Sequence, residues 1–393
     1  MEIDRKARLG ERVRCSANSE EPYWALVPRP LPPPGLQLDD LQGLVEKASQ
    51  SLGRLDGLAT VLPDTQLFLY MYVRKEAVLS SQIEGTQSSL SDLLLYESEE
   101  APGVPLDDVQ EVSNYVAAMN HGLKRLREGF PMSMRLIREI HEVLMTGARG
   151  GTKAPGEFRH SQNWVGGTRP GNAIYVPPPP DRVVECMSDL EKYLHKKEDK
   201  LPLLIRAALV HHQFETIHPF LDGNGRLGRL LITLMLCTEG VLSEPILYLS
   251  LYFKTHRKEY YAHLQHVRET GDWESWLKFF LVGVSDIAIQ ATGAAREILA
   301  LIQTDRERIA DVGRSAGSAL QVHRYLERKP LAVIPEMVKA LGLTTPTVTA
   351  ALQNLERIGI VREVTGRLRG RVFVYAAYLK ILERGTEPRP GGR

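Results

Sequence analysis

The sequence predicts a mainly α-helical body with one small β-hairpin, followed by a C-terminal domain of helices and a second hairpin. Apolar residues recur at helical spacing through most of residues 36–290, whereas the Gly-rich stretch 147–181 is too interrupted for a long helix. Residues 313–393 carry 14 Lys and Arg against 6 Asp and Glu, and residues 1–312 carry 35 against 42. The chain of 393 residues is therefore expected to hold two or three domains, the last of them basic.

Composition indicates an ordinary globular protein of a reducing compartment. With 43% hydrophobic and 25% charged residues, the chain can bury a substantial core. The three cysteines, Cys15, Cys186 and Cys237, have no paired spacing, which argues against a disulfide framework or a zinc site. The charged start 1–14 lacks the apolar region of a secretory signal, and no run approaches the ~18 apolar residues that span a membrane. We therefore expect a cytoplasmic protein without a membrane partner.

The elements of the body follow from periodicity and from helix breakers. Residues 1–35 end in a proline-rich run and are predicted to form an extended arm, which Tyr23 and Trp24 could pin to the body. Residues 291–314 are polar and are predicted to form a separate linker helix. Further helices are predicted at 36–55, 65–84, 89–96, 109–126, 133–145, 183–196, 201–216, 249–261 and 273–289.

The densest group of chemically active residues is the stretch from His218 to Arg229, HPFLDGNGRLGR. Its Gly-Asn-Gly turn opens an apolar helix, so unpaired backbone N–H groups and the positive end of the helix dipole would face an anion. Arg226 and Arg229 are three residues apart and share a helix face beside that turn. The stretch therefore predicts a polyphosphate site with a base, His218, and a metal ligand, Asp222, at its rim.

This stretch resembles the signature of the Fic family, HPFx(D/E)GNGRxxR, at every specified position. The resemblance implies a Fic-type helical bundle that transfers AMP from ATP to a hydroxyl side chain of a target protein, or of itself, and releases pyrophosphate. It implies His218 as the base, a role that suits an imidazole with an ordinary pKa near ~6.5. It also implies Asp222 as a ligand of Mg²⁺, an ion that prefers hard oxygen ligands. The phosphates would be bound by Gly223, Asn224, Gly225, Arg226 and Arg229.

Ser80 and Glu84 stand four residues apart at the end of the second predicted helix, so they share a face, and Gly85 ends the helix. From these residues alone, a polar helix end explains the pattern equally well. The segment resembles, however, the inhibitory motif (S/T)xxxE(G/N) that many Fic proteins carry before the core. The resemblance implies an ion pair between Glu84 and Arg229 that blocks the site, with residues 36–110 as the inhibitory region and 111–290 as the catalytic core.

Residues 158–165 and 173–176 are predicted to be two short strands around a glycine turn, with four prolines after the second. A lone hairpin is marginal unless it lies on another element. In the Fic family a hairpin at this place, the flap, aligns the target segment by main-chain hydrogen bonds. The resemblance therefore implies a role for Ala173, Ile174 and Tyr175, and a mere long connection is the alternative.

The tyrosine pair Tyr260 and Tyr261 has a spacing that resembles the pair lining the adenine pocket in Fic proteins. Two aromatic residues that pack a helix into the core would give the same pattern. A metal triad of His211, His218 and Asp222 is a weaker alternative for the site, because the signature already accounts for His218.

The basic C-terminal region is predicted to contain a helix at 319–328, a helix-turn-helix at 334–358 with Gly342 in the turn, and a hairpin at 362–375. Residues 315–382 thus resemble a winged helix, and 383–393 form a tail. In winged helices the second helix of the pair enters the DNA major groove, and arginines of the hairpin suit phosphates. Protein docking or homodimerisation through this domain is the alternative.

Three other functions remain open from the sequence. A Fic-like enzyme could use another nucleotide donor or remove AMP, because Glu84 could also orient water; relatives that transfer phosphate carry a lysine where this chain has Gly225. A helical metal-dependent phosphohydrolase would need an adjacent His-Asp pair, and the chain has no such dipeptide. A transcriptional regulator whose body only senses nucleotide would bind nucleotide and DNA without transferring a group.

Overall fold

The structure, a computed structural model, describes residues 5–15, 22–61, 65–98, 105–147, 151–196, 200–313, 315–367 and 369–388, without the side chains of 59–61 and 65–68. Within these ranges the body is a helical bundle, as the sequence predicts. Its helices are α1 (Gln42–Val61), α2 (Thr65–Glu84), α3 (Leu90–Glu97), α4 (Leu106–Arg127), α5 (Met134–Leu144), α6 (Val183–Leu194), α7 (Leu203–Ile217), α8 (Asn224–Thr238), α9 (Ser250–Thr255), α10 (Arg257–Thr270) and α11 (Trp273–Ala310).

Helices α7 and α8 form the centre of the bundle because both are apolar on nearly every face. Apart from Leu203 and Arg206, every residue of α7 is buried, and α8 is buried from Arg226 to Leu236. Helices α4 and α5 pack on α8, and α10 and α11 pack on α7. The turn that joins the two central helices, residues 218–223, is therefore anchored in the core at both ends.

Helix α11 is one continuous helix that packs along α1, so the predicted separate linker helix at 291–314 is wrong. No proline interrupts the register, and Ile298, Ile302 and Ile309 remain buried beyond residue 290. By length and composition α11 could also cross a membrane, which corrects the expectation that no segment approaches this requirement. Its most apolar window is 61% buried inside the protein.

The N-terminal segment contains a hairpin in place of the predicted extended arm. Strand β1 (Glu11–Cys15) pairs antiparallel with β2 (Tyr23–Val27). Side chains alternate along β2, so Tyr23 is buried whereas Trp24 is 60% exposed. Of the two expected anchors, only Tyr23 packs against the protein. The strand Tyr23–Val27 comes directly before the proline-rich residues 28–35. Those prolines are the reason that the sequence predicts an extended arm.

Residues 316–383 form a smaller module whose buried side chains are continuous with the core of the body. Strand β5 (Val372–Val374) lies in the middle of a three-stranded antiparallel sheet, between β3 (Leu331–Val333) and β4 (Arg362–Glu363). Gly342, at φ 66°, separates the predicted helix pair. The predicted hairpin is present, and its turn includes residue 368, which lies outside the described residues. The elements are α12 (Ala316–Arg328), β3 (Leu331–Val333), α13 (Ile334–Leu341), α14 (Thr345–Arg357), β4 (Arg362–Glu363), β5 (Val372–Val374) and α15 (Ala376–Glu383). Helices α12 and α15 contact α2 and α11 of the body.

Candidate active site

The turn between α7 and α8 begins with a strained residue. His218 caps α7 in the left-handed region, at φ 49° and ψ 58°, and its N–H donates to Phe214 O at 2.9 Å. This conformation costs a non-glycine residue about 1–2 kcal/mol, so the surrounding contacts must hold it. Buried Arg159 does so: its Nε donates to His218 O at 2.9 Å, and its backbone N–H donates to Pro219 O at 2.9 Å. The backbone of His218 is thereby held in place at the end of a buried helix.

The turn is closed by Asn224 and supported from behind by His141. Asn224 Oδ1 accepts the Phe220 N–H at 2.9 Å, and its Nδ2 donates to Phe220 O at 2.8 Å. The Phe220 ring stacks on His141 at 3.7 Å between centroids. His141 Nδ1 accepts the Gly156 N–H at 2.9 Å, so its Nε2 is the nitrogen that donates to Asp222 O at 3.0 Å. Burial lowers the pKa of His141 to about 4, which keeps this ring neutral.

The first residues of α8 form a concave row of backbone amides. Gly223 is the N-cap at φ 77°, and a Cβ there would stand 2.7 Å from Met145 Sδ, so glycine is required. Its N–H donates to Asp222 Oδ1 at 2.6 Å. The next amides, of Asn224 and Gly225, belong to the first helical turn and have no partner within the helix. Such a helix start favours an anion.

A buried ion pair joins the end of α2 to α8. The side chain of Arg229 is 1% exposed, and its Nη2 donates to Glu84 Oε1 at 2.6 Å. Ser80, one turn earlier on α2, accepts Arg229 Nε at its Oγ at 2.9 Å and Nη2 at its carbonyl oxygen at 3.0 Å. The three contacts use the planar shape of the guanidinium, which a lysine could not reproduce. The structure thus brings together the predicted trio of Ser80, Glu84 and Arg229.

The Glu84 carboxylate also covers the start of α8. A Cβ added at Gly225 would collide with Glu84 Oε1, so the carboxylate lies directly against that backbone. Burial alone would raise the pKa of Glu84, but Arg229, then Arg226 and His218, hold it below its ordinary value. The carboxylate is therefore charged and occupies the position that the helix start would otherwise offer to an anionic ligand. Its side chain is still 37% exposed, so it lies at the mouth of the site.

The electrostatic surroundings of His218 favour the neutral ring. Burial, followed by the cations Arg268 and Arg159, lowers the pKa of His218 to about 4, although Glu84 and the backbone of Glu215 oppose this shift. At neutral pH the imidazole is therefore a free base. A neutral imidazole with four arginines around it, Arg159, Arg226, Arg229 and Arg268, can accept a proton beside an anionic ligand.

Arg226 and Asp222 lie at the rim of the same turn. Arg226 Nη1 donates to Glu111 Oε2 at 3.1 Å, and its Nη2 is 3.6 Å from Asp222 Oδ1. The Asp222 side chain is 47% exposed. The sequence did not predict the contact of Glu111. The two partners are 115 residues apart in the chain, and no local pattern connects them. Across the part of the chain that the structure describes, no group of three or more His, Cys, Asp and Glu could hold a metal, so the alternative metal triad is not assembled.

The two tyrosines of the predicted adenine pocket have different surroundings. Tyr260 is fully buried, its hydroxyl is 2.9 Å from His211 Nε2, and its ring stacks on Phe253 at 4.6 Å. Tyr261 is 36% exposed and lies under the guanidinium of Arg257 at 5.1 Å. Only Tyr261 therefore has an accessible ring, and Tyr260 supports it from the core.

The predicted flap strands are reduced to one antiparallel bridge between Val165 and Tyr175. Val165 N–H donates to Tyr175 O at 2.8 Å, and Ile174 N–H donates to Val165 O at 3.0 Å. The Tyr175 hydroxyl donates to Thr216 O, and its ring lies 3.9 Å from the Arg268 guanidinium, so the bridge rests on α7 and α10. Ile174 points the other way and is 68% exposed.

The N-terminal hairpin lies beside the flap. Leu26 N–H of β2 donates to Val176 O at 3.0 Å. Tyr23, Val176 and the half-buried Ala173 belong to a small apolar cluster separate from the main core. The flap is therefore bordered by β2, a neighbour that the sequence did not suggest.

Two further residues near the base were missed because their partners are distant in sequence. Arg268 Nη2 donates to Glu215 O at 3.0 Å and its Nε donates to Thr216 Oγ1 at 3.1 Å, which ties α10 to the end of α7. The Glu215 carboxyl lies against Gly228, where a Cβ would stand 2.6 Å from its Oε1. Burial raises the pKa of Glu215 to about 7. No local motif distinguishes either residue.

The chain is similar to proteins of one family in both of its central regions. Residues 42–124 match the family described as Fic/DOC family N-terminal, and residues 131–236 match the Fic/DOC family. A protein adenylyltransferase Fic from Aedes aegypti is 32% identical over 236 residues, which cover 57% of this chain and 43% of the relative. A protein of the same name from Drosophila yakuba is 29% identical over 285 residues, which cover 68% of this chain and 53% of the relative. The chain thus spans about half the length of the curated relatives that it matches.

The fold is similar to that of a solved structure, a Fic family protein from Desulfovibrio desulfuricans. The TM-score is 0.57 at 22% identity, and the match covers 88% of this chain and 98% of the other. The helical bundle described above is therefore the fold of these proteins. Residues 42–124 and 131–236 of the chain are thus similar to the two parts of the Fic/DOC family.

Proposed function

We propose that this protein is an adenylyltransferase that moves AMP from ATP to a hydroxyl side chain of a target protein, and that Glu84 holds it inactive. The observation that carries the proposal is the Glu84 carboxylate, which pairs with Arg229 and lies against Gly225 at the start of α8. It stands where an anionic group of a nucleotide would be favoured. The similarity to proteins named protein adenylyltransferase Fic supports this choice of reaction.

His218 accepts the proton in the transfer step. The target hydroxyl oxygen forms a bond with the α-phosphorus of ATP, the bond from that phosphorus to the leaving pyrophosphate breaks, and the hydroxyl proton passes to a ring nitrogen of His218. The low pKa of His218 keeps the ring neutral before nucleotide binds. The negative charge of a bound triphosphate would raise this pKa and so strengthen the base at the moment of transfer.

The start of α8 provides the phosphate site. The backbone amides of Asn224 and Gly225 would donate to phosphate oxygens, as at other helix starts, and that of Gly223 would join them once Asp222 Oδ1 releases it. Arg229 would contact the terminal phosphate with its planar fork, and Arg226 would add positive charge. Both guanidinium groups are buried and already held by carboxylates, so they are positioned before the ligand arrives.

The residues at the rim fit Mg²⁺ as the accompanying ion. This ion typically uses one or two carboxylates together with substrate phosphates and waters. Asp222 supplies one exposed carboxylate beside the phosphate site, and Arg226 at 3.6 Å orients it. When bound, the ion would neutralise phosphate charge.

Glu84 inhibits by occupying Arg229 and by repelling phosphate charge. As long as Arg229 donates to Glu84 and Ser80, it lacks a free edge for the terminal phosphate. ATP could then enter only with its α-phosphate displaced from the line of attack, which costs rate steeply. The same carboxylate could orient water for removal of AMP from a modified target, which gives the reverse net reaction.

The exposed ring of Tyr261 would contact the adenine, with Tyr260 fixed behind it. The edge of the flap at Ala173, Ile174 and Tyr175 would hold the target segment through main-chain hydrogen bonds. An exposed Ile174 side chain and a short bridge leave that edge accessible.

The proposal is tested by replacing Glu84, the proposed gate, and His218, the proposed base, in separate steps. Incubation of the Glu84→Gly variant with ATP should give AMP adducts on itself or on lysate proteins at a rate at least about tenfold above the unchanged protein. Glu84→Gly/His218→Ala is the matched control, since it opens the same site but lacks the base. It should bind ATP and transfer nothing. Parallel reactions with GTP, CTP and UTP, read by intact-protein mass, identify the donor.

Equal rates for Glu84→Gly and the unchanged protein would contradict inhibition by Glu84. Transfer by the double variant would contradict the role of His218. Removal of AMP from a modified protein by the unchanged enzyme, and not by Glu84→Gly, would assign the reverse reaction to the same site.

A second function is favoured by the C-terminal module. We propose that it is a winged helix that binds DNA, because Thr345 at the start of α14 and Arg362 and Arg367 of the hairpin are all exposed. Residues 313–393 also carry a net charge of +8. Binding to duplex DNA should weaken steeply with salt, and Arg362→Ala should reduce the salt slope by about one. An unchanged slope would argue for a protein partner.

A further inference from the structure

A segment after α15 lies against the helix that carries Glu84. We call residues 384–387 the C-terminal latch. Lys75 of α2 donates from its Nζ to Arg384 O at 2.8 Å, and Lys254 of α9 donates to Gly385 O at 2.9 Å and to Glu387 O. Lys75 is 3% exposed and Thr386 is 1% exposed. The carbonyl groups of Arg384 and Gly385 make partly buried hydrogen bonds to the two lysines, whereas the contact of Glu387 O is exposed.

The contact closest to the gate is made by Gln82. This side chain is 4% exposed, and its Nε2 donates to Thr386 O of the latch at 2.8 Å and to Ser88 O at 2.8 Å. Ser88 belongs to the turn that leaves α2 directly after Glu84 and Gly85. Both amide hydrogens of Gln82 are therefore used, one on the latch and one on the turn behind the inhibitory residue.

Besides Gln82, the last turn of α2 is held by Arg229, which donates to Ser80, and by Arg257, whose Nε donates to Ile83 O at 3.1 Å, whereas the turn after Glu84 is held less firmly. Gly85 is at φ 111°, and its N–H and that of Thr86 make long hydrogen bonds of 3.3 Å to Gln82 O and Ser81 O. Glu84 is the last helical residue and its side chain faces outward at the mouth of the site. The long hydrogen bonds of Gly85 and Thr86 make this turn the least restrained part of the segment, and its opening would let Glu84 leave Arg229.

We propose that Gln82 is a positioning residue that couples the C-terminal latch to the Glu84 gate. The inference rests on the proposed function of Glu84 and names its regulation. With the latch seated, Gln82 holds the last turn of α2 and keeps the Glu84 carboxylate over Gly225. Release of the latch leaves the Gln82 amide with one partner and lets the helix end open, which exposes Arg229 to nucleotide.

The module that carries the latch supplies the means of release. The latch follows α15 directly, and Glu383 at the end of α15 accepts a hydrogen bond from Ser91 Oγ of α3. Helices α12 and α15 of the module contact α2. A ligand that shifts this module on the body would therefore pull on the latch, so that occupancy of the module and activity of the site are coupled.

The coupling can be disrupted at Gln82 or at the latch, in the chain of 393 residues. Gln82→Leu removes both donors and keeps an apolar side chain of similar size. Gly385→Val dislodges the latch itself, because Gly385 is at φ 83° and a Cβ there would stand 2.5 Å from Leu251 Cδ1. The matched control is Glu297→Ala, which removes an exposed ion pair with Arg384 and leaves the latch carbonyl groups in place.

Both latch variants should raise AMP transfer from ATP about tenfold, whereas Glu297→Ala should not. In the Glu84→Gly background neither latch variant should raise the rate further, because the gate is already absent. A merely structural role would not give this dependence on Glu84. Wild-type rates for both latch variants, or an equal rise with and without Glu84, would overturn the proposal.

Hydrogen exchange separates this inference from the proposed reaction. The amides of Gly85 and Thr86 should exchange at least about tenfold faster in Gln82→Leu and Gly385→Val than in Glu297→Ala. This readout requires no catalysis, so it applies even if Glu84→Gly transfers no AMP and the proposed function fails. Unchanged exchange at these two amides would overturn the latch while leaving the proposed function intact.

Discussion

Two loops border the same site and are held in opposite ways. The turn 218–223 ends in buried helices on both sides, and Arg159, His141 and Asn224 each bind its backbone. The flap has a single bridge and an exposed Ile174 at its edge. Groups that perform chemistry must stay within a fraction of an ångström, whereas a backbone edge that receives varied targets must stay accessible. Under the proposed function, the rigid turn would set the rate and the accessible flap would select the target.

The largest effect is expected from loosening the turn. Asn224→Ala in the Glu84→Gly background removes both hydrogen bonds to Phe220 and leaves its buried N–H and C=O groups unpaired. Transfer should fall by about 10²–10³ and the free energy of unfolding by about 2–4 kcal/mol. Asn224→Asp keeps the acceptor of the Phe220 N–H, so its transfer rate and its stability should lie between those of Asn224→Ala and those of the protein with Asn224. Single-turnover kinetics and urea denaturation give the two values, and a loss of stability without a loss of rate would contradict the role of the turn.

Arg159 connects the two loops, so its replacement measures their coupling. Its side chain donates to His218 O and to Ser161 O and Pro178 O on the flap side. Arg159→Lys retains the charge but loses the planar geometry, and the transfer rate should fall by about 10²-fold or less, with ATP affinity unchanged. Isothermal titration supplies the affinity. A parallel loss of ATP binding would mean that the effect has spread to the phosphate site.

A change confined to the flap should affect target use alone. Ile174→Asp places a charge at the exposed edge, and modification of a target protein should fall by about tenfold while ATP binding remains. Stability should change by less than about 0.5 kcal/mol, as for other surface substitutions. Val184→Asp is the matched control, because Val184 is 57% exposed on α6. Equal effects of the two variants would show that the flap has no special role.

The smallest effect is expected from a change of pH. It tests whether His218 is as buried as the structure indicates. An ordinary imidazole would be mostly protonated at pH 6, and the rate would fall about fourfold between pH 8 and 6. With its pKa lowered to about 4 before nucleotide binds, His218 remains neutral across this range, so kcat/KM of Glu84→Gly for ATP, which reports the nucleotide-free enzyme, should stay constant within twofold. A decrease with a midpoint near pH 6.5 would show that His218 is more solvated than its contacts indicate.

Local patterns predicted most helices, because their apolar spacing and caps are readable within one or two turns. Ser133, for example, caps α5 where the periodicity begins, and Gly342 separates the helix pair of the C-terminal module. The predictions were wrong for two elements whose structure depends on residues distant in sequence or on continued burial. The N-terminal hairpin needs the Val176 edge, and the polar residues beyond 290 remain helical because buried isoleucines continue along α11.

The sequence by itself predicts an anion site at residues 218–229, since an imidazole, a glycine turn and two arginines at one helix start can be recognised at short range. Tertiary structure alone decided that Glu84 lies over Gly225, 145 residues before its partner Arg229 in the chain. It also decided that Tyr260 is buried and Tyr261 accessible, and that residues 384–387 rest on α2. The physical reason is that burial and ion pairing over such separations depend on how the helices pack, and no local pattern carries that information.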